Sequence, residues 1–260
     1  VITMVSTWGR HARIIGALMM RETVTRYGRQ GLGLAWLVGE PLIFCFGVLI
    51  MWTAIKPPYE HGIRIGPFIM SGYVCLLLLR HLITANMNAL QANIGLLYHR
   101  QIKPLHIYIS RCVLEFASNT LAFIVVYAVL VTLNQVGMPG DPLSLYAGWL
   151  LLGWMGSGLA LVFAGLALQF ELFERISGVL QYAMIPASGV FVMAAWLPEN
   201  YRNVLMKIPM PHAVEMVRGG VFGDTVQTFH DPAYAMAWSA IFTFTGLILI
   251  ARAKRHVEVE

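Results

Sequence analysis

A chain of 260 residues that is 58% hydrophobic and only 12% charged, with a mean hydropathy of +0.67, cannot clothe itself as a water-soluble fold, in which about 25% of residues are charged. A bilayer has to solvate the excess apolar surface. The formal charge of +5 does not signal nucleic acid, because no basic stripe interleaved with aromatics lies outside the apolar runs; it is read as the cytoplasmic-side excess of Lys and Arg in a membrane protein.

In chain order, Ile14, Ile15, Leu18 and Met19 recur at helical spacing, with Arg10, Arg13, Arg21, Arg26 and Arg29 on the polar side. This predicts an amphipathic helix lying in the membrane interface, with a soluble partner-binding helix as the alternative. The segment has no long apolar stretch of signal-peptide type, so the N-terminus is expected in the cytoplasm. The first span is expected over residues 34–55, about 22 residues or roughly 33 Å of helix. Glu40 and Pro41 lie inside it, and the proline predicts a kink. A Pro- and Gly-containing loop follows at 56–66.

Further spans are expected at 67–89, 107–134, 145–170, 179–197 and 233–251. Residues 91–105 read as a short cytoplasmic helix ending near Pro104. Residues 135–142 read as an external turn-rich loop, and 171–178 as a short internal loop. The stretch 198–232 is amphiphilic, with a helix expected over 213–222 that is too short to cross alone and so is surface-lying or re-entrant. The expectation is an all-α membrane protein of six transmembrane helices, preceded by an interface helix. It divides into residues 1–33, the interface helix, and 34–260, the transmembrane domain. On this map the outer segments hold Lys56, Arg64, Arg202, Lys207 and Arg218, and Arg80 lies within a span. The remaining twelve Lys and Arg are internal, which predicts both termini inside.

No enzyme motif is present: G-x-x-x-x-G-K-[ST], H-E-x-x-H and G-x-S-x-G are all missing. Cys45, Cys75 and Cys112 have no C-x-x-C spacing, so no metal site is expected. Ionisable groups in hydrocarbon cost roughly 2.5–3.5 kcal/mol each on insertion scales, so they face partners or wet cavities. Here they are Glu40, Arg80, His81 and Glu115. Arg111 and Glu115 can pair across one helical turn. Arg80 is expected to snorkel or to meet Glu40 or Glu115; structural pairing and a polar conduit are both open. Trp52, Trp196, Trp149, Tyr146 and Tyr201 suit either an interfacial belt or an exit on which sugars stack.

Three blocks of sequence are familiar. LMMRETVTRYGRQGLGLAWLVGEP (residues 18–41) resembles the approach to the first span of ABC-2 polysaccharide exporters, R-[DE]-x-x-x-R-[YF], then L-G-x-x-W, then Pro. Arg21, Glu22, Arg26, Tyr27, Leu32, Gly33, Trp36 and Pro41 fill those places. MNALQANIGLLYHRQIKPLHIYISRCVLE (87–115) looks like the second-to-third-span connection of the capsule branch. PMPHAVEMVRGGVFG (209–223) resembles the outer segment, with Pro209, His212, Glu215 and Arg218 matching; Ile208 stands where the family often has Asn.

The resemblance implies a permease subunit of an ATP-driven exporter of lipid-linked acidic capsular polysaccharide in a bacterial inner membrane. It is not itself an enzyme and carries no cofactor; ATP and Mg would sit on the partner. The implied partners are a second copy, two ATP-binding subunits, a periplasmic polysaccharide co-polymerase, an outer-membrane export protein and membrane lipids. Leu96, Leu97, Tyr98, His99, Arg100 and Lys103 would form the coupling helix that docks into the ATPase. Arg21, Glu22, Arg26, Tyr27 and Arg29 would serve the interface helix and substrate intake. Trp36, Glu40, Arg80, Trp52, Trp196 and Tyr201 are path candidates. His212, Glu215 and Arg218 belong to the outer segment. The competing expectations are an O-antigen or teichoic-acid exporter, an ion-coupled carrier, and a membrane glycan transferase.

Overall fold

The computed structural model describes residues 2–27, 32–97 and 101–257. The chain is helical almost throughout: α1 Ile2–Tyr27, α2 Leu32–Ile55, α3 Ile65–Met87, α4 Pro104–Thr132, α5 Pro142–Gln169, α6 Glu171–Ala187, α7 Glu199–Leu205, α8 Pro209–Phe222 and α9 Pro232–Val257. Proline stands at the start of α4, α5, α8 and α9, where its missing N–H costs nothing and its φ is already helical. Asp141 caps α5, accepting from the backbone N–H of Leu143 and Ser144 at 3.0 and 3.2 Å.

The core lies along α3 and α5. Leu78, Leu79 and Leu82 of α3 meet Leu152, Met155 and Ala160 of α5, with Val126 and Leu130 of α4 and Ala213, Val214 and Val217 of α8 in the same cluster. Of the apolar window of α3, 72% is buried, against 11% for α2; α3 is therefore the central post and α2 a peripheral one. Lipid is as apolar as leucine, so such helices associate through close packing, which small residues permit. A Cβ on Gly148 would come 2.9 Å from the Val217 nitrogen of α8, and one on Gly246 of α9 would come 2.5 Å from Leu161 of α5.

Among the described residues, five helices have the length and apolarity to cross a membrane: Val38–Ile55, Ile65–Met87, Pro104–Thr132, Pro142–Gln169 and Pro232–Ala253. They correspond to five of the six expected spans. The span expected over 179–197 is different. Its helix, α6, begins eight residues earlier, in the stretch read as a loop, and ends at Ala187, one residue after Pro186. Gly189 then turns the chain at φ +67°. The early start is stabilised by the Glu171–Arg175 pair at 2.6 Å and by Asn88 donating to Glu174 at 2.9 Å; charges read as loop are helix-forming pairs.

The loop at 56–66 contains a short hairpin, β1 Tyr59–Glu60 and β2 Ile63–Arg64, closed by His61 and Gly62 at φ 50° and 82°, the left-handed pair that a two-residue hairpin turn requires. The connection after α3 is a 3-10 turn, Gln91–Leu96. The helix expected at 213–222 is present as α8, but it is neither surface-lying nor confined to those residues: it starts at Pro209 and most of its side chains are buried against α5, α3 and α9.

Candidate functional site

Three polar clusters organise the bundle. At one end, α1 is clamped onto α3, the 3-10 turn and α4. Ile14 and Leu18 of α1 pack with Leu90, Leu96, Leu97, Ile102, Ile107 and Tyr108. Arg21 Nη1 donates to Asn93 Oδ1 at 2.6 Å, and Asn93 is itself fixed by donating to the Ala89 carbonyl at 2.9 Å. Glu22 pairs with Arg111 of α4 at 2.8 Å, both side chains about nine-tenths shielded, and Arg111 also donates to the Ala85 carbonyl at 2.6 Å. His106 Nδ1 accepts from the Lys103 backbone N–H at 3.1 Å, which leaves its proton on Nε2, facing His11 Nδ1 at 2.8 Å. The 3-10 turn is thus joined to α1 through Arg21 and Asn93, and α1 to α4 through Glu22 and Arg111.

The second cluster is a seam between α3 and α6. Arg80, Thr84 and Asn88 share one face of α3 at four-residue spacing. Arg80 lies over the Tyr182 ring at 5.1 Å, Thr84 donates to Gln181 at 3.0 Å, and Asn88 reaches Glu174. The contact found for Arg80 is thus an aromatic face on α6, where the sequence points to Glu40 or Glu115. α6 buries Ser177, Gln181 and Met184 and exposes Leu172, Val179 and Tyr182. The outer side of α6 thus presents these apolar side chains beside the exposed Glu171–Arg175 pair.

The third cluster sits at the opposite end. Arg218 of α8 is fully buried. Its Nη1 donates to the carbonyls of Gly189 and Val192, both at 2.9 Å, its Nη2 donates to the Val190 carbonyl, and its guanidinium lies 4.6 Å from the Phe68 ring centroid. Glu215 lies 3.4 Å from Arg218 and accepts from the backbone N–H of Ala194 and Phe229. His212 Nε2 donates to the Met206 carbonyl at 2.8 Å while its Nδ1 accepts from Asp231 N–H at 2.9 Å. His212, Glu215 and Arg218 thus staple the segments on either side of α8, 189–206 and 229–231, onto that helix. Gly72 makes room: a Cβ there would lie 2.3 Å from the Val190 oxygen and 2.8 Å from Arg218.

The ABC-2 type transporter family model matches residues 13–222. The chain belongs to the ABC-2 type transporter family. Across the ABC-2 family it is similar to the capsule polysaccharide export inner-membrane protein CtrC of Neisseria meningitidis serogroup B, 36% identical over 95% of this chain and 93% of the relative. It is 33% identical to the capsule polysaccharide export inner-membrane protein BexB of Haemophilus influenzae over the same shares. It is 26% identical to the polysialic acid transport protein KpsM of Escherichia coli over 90% of this chain and 91% of the relative. The ABC-2 match runs from within α1 through α8 and so contains Arg21, Glu22, Asn93, Arg111, the α3–α6 seam, His212, Glu215 and Arg218.

The other expected residues are placed as follows. Leu96 and Leu97 are half-buried against Ile14 and Leu18, while Gln91, Ile94, Gln101 and Lys103 are among the exposed side chains of that connection. Tyr98, His99, Arg100 and Arg29 lie outside the described residues, as do the side chains of Arg26 and Tyr27. Trp52 stacks on Phe191 at 5.3 Å and Trp196 on His61 at 4.6 Å, so both are packed rather than offered to solvent. Trp149 is buried and donates to Thr120 at 2.8 Å. Trp36 and Tyr201 are exposed, and Glu40 is half-buried.

Sequence reading passes over Asn93, Thr84, Gln181, Glu174 and Ile94. The four-residue rhythm of Arg80, Thr84 and Asn88 is a signal that was available in the sequence; the pairing of Arg21 with Asn93 was not, because 72 residues separate them. Among the described residues no three His, Cys, Asp or Glu side chains come together to hold a metal ion.

Proposed function

We propose that this chain is the membrane permease of an ATP-driven exporter of capsular polysaccharide in a bacterial inner membrane. The observation that carries the reading is near-full-length similarity to capsule export inner-membrane proteins from two organisms. The chain works as a pair with a second copy, and separate ATP-binding subunits with Mg hydrolyse ATP below it. It takes part in no catalysis itself.

It crosses the membrane six times with both termini in the cytoplasm. α6 supplies the sixth crossing. It has only 17 residues, but together with the turn that follows it the segment runs along α3 from Asn88, at Glu174, to Gly72, beside Val190, roughly 24 Å of helical rise. The exposed connection at Ile94 and Lys103, continuing through Tyr98, His99 and Arg100, docks on the ATPase. The clamp of Arg21 with Asn93 and Glu22 with Arg111 passes its movement to the interface helix α1, and the charges of Arg26 and Arg29 attract the anionic lipid or the lipid-linked polymer. Trp36, Glu40 and the α3–α6 seam around Arg80 lie along the path; the aromatic group of Trp52 and Trp196, with Tyr201, forms its exit, toward a periplasmic co-polymerase and an outer-membrane export protein. Arg218, Glu215 and His212 hold that exit in shape.

The test is deletion of the gene in its host. Polymer accumulating inside the cell with none at the surface is the expected outcome, and normal surface capsule would refute the substrate. Loss of O-antigen or teichoic acid instead would reassign the polymer within the same family.

A further inference from the structure

At the end of the bundle that carries the hairpin, a cavity of about 430 Å³ opens between β1–β2, the α4–α5 loop and the end of α8, within the range of small-molecule sites. Its walls are pinned. Arg64 Nη1 donates to the Asn134 carbonyl and Arg64 Nε to the Tyr59 hydroxyl at 2.9 Å. On the other side, Gly140 and Asp141 donate to the carbonyls of Val221 and Gly220 at 3.4 and 3.0 Å. The lining brings together Arg64, His61, Gln135 and Thr225 as polar groups and Pro67 and Phe222 as apolar ones. It contains no carboxylate: Glu60 is paired with Lys56 at 2.9 Å, and Asp141 is occupied by the Ser144 hydroxyl at 2.6 Å.

A positive guanidinium, an amide, a hydroxyl and an aromatic wall in one cavity match a ligand that has an anionic group, ring hydroxyls and an apolar C–H face. His61 connects this cavity to the aromatic exit, because the same imidazole that lines it stacks on Trp196.

We propose that this cavity is a binding site for a carboxylated sugar unit, holding the emerging polymer by its acidic residues after it has crossed. The inference rests on the export reading above. Arg64 receives the carboxylate, Gln135 and Thr225 the hydroxyls, and Phe222 the apolar ring face. A site that binds a polymer it must release has to be shallow, and the lining is open on one side rather than sealed.

The full-length chain in lipid nanodiscs is examined by saturation-transfer NMR with glucuronate, glucose, acetate and polyglutamate. Glucuronate is expected to bind and glucose to bind more weakly. Arg64→Gln should weaken glucuronate about ten-fold, the loss of one charged hydrogen bond. Because Arg64 also braces the hairpin, Gly137→Leu is the second variant: Gly137 lines the cavity and a Cβ there meets nothing within 4 Å, so a larger side chain is placed to obstruct it. It should abolish the glucuronate signal with the melting temperature unchanged. Equal glucuronate binding in both variants, acetate binding as well as glucuronate, or polyglutamate displacing it preferentially would each overturn the saccharide assignment. The last would mark instead a contact for an acidic partner protein. The gene deletion separates the two claims: intracellular polymer with no glucuronate binding defeats this site alone, while surface capsule in the deletion with Arg64-dependent binding defeats the export reading alone.

Discussion

Arg218 is held inside the protein by three carbonyls and one carboxylate, and no water-facing surface compensates its charge. Removing the partner of a buried pair typically costs about 3–5 kcal/mol, because the remaining charge has nowhere to go. Arg218→Met should lower the melting temperature sharply in detergent, and Glu215→Gln added to it should restore part of the loss; an unchanged melt in Arg218→Met would mean the network carries no stability. At the other end, Glu22 and Arg111 are both largely desolvated. A double-mutant cycle with Glu22→Gln and Arg111→Gln should return a coupling of about 0.5–3 kcal/mol, read by thermal melting; additivity would remove that clamp. Sequence motifs flagged Arg21, Glu22 and Arg218 as important, yet only the fold showed what each touches. His212, Glu215 and Arg218 recur every third residue and so share one helix face; that this face meets backbone carbonyls and N–H groups is a tertiary fact.

α6 is the element on which sequence and structure part most. Its charged first turns look like a loop on hydropathy, and its second half looks like the start of a membrane span. In the fold Glu174, Gln181 and Tyr182 meet α3 while Glu171 and Arg175 pair on the exposed side, so a single helix accommodates both. If the seam opens during transport, bridging Thr84→Cys to Gln181→Cys with a short bis-thiosulfonate should stop export, and reduction should restore it; export continuing through the bridged protein would make the seam static. α5 and α9 test the small-residue contact. Gly246 lies against Leu161 and Val162, Gly158 against Phe242 and Gly165 against Leu249, all at 3.0 Å or less from an added Cβ. Gly246→Leu should separate the two helices and lose the folded, monodisperse protein in detergent size-exclusion, since overpacking of this kind cannot relax against backbone. The glycines were visible in the sequence, but which of them meet another helix was not.

At the scale of the whole molecule, α1 and the last turns of α9 lie at the same end of the bundle, because α9 runs back along α5, with Gln169 donating to the Leu249 carbonyl at 2.9 Å. Cysteines introduced at Gly9 and Arg252 should both resist a membrane-impermeant maleimide in intact cells and react after permeabilisation, while one at Asp224 reacts at once. Opposite labelling of the first two would require an odd number of crossings. Composition alone determined that the chain lives in lipid, because no water-soluble surface can be made from so few charges, and the apolar runs placed five of its spans, since roughly 30 Å of hydrocarbon fixes how long such a run must be. The family motifs, being local, were legible as well. What only the tertiary structure decided was which polar side chains meet: Arg21 with Asn93, Thr84 with Gln181, Arg218 with the turn after α6. Those pairs join residues far apart along the chain, and hydropathy, which averages over neighbours in sequence, carries no information about neighbours in space.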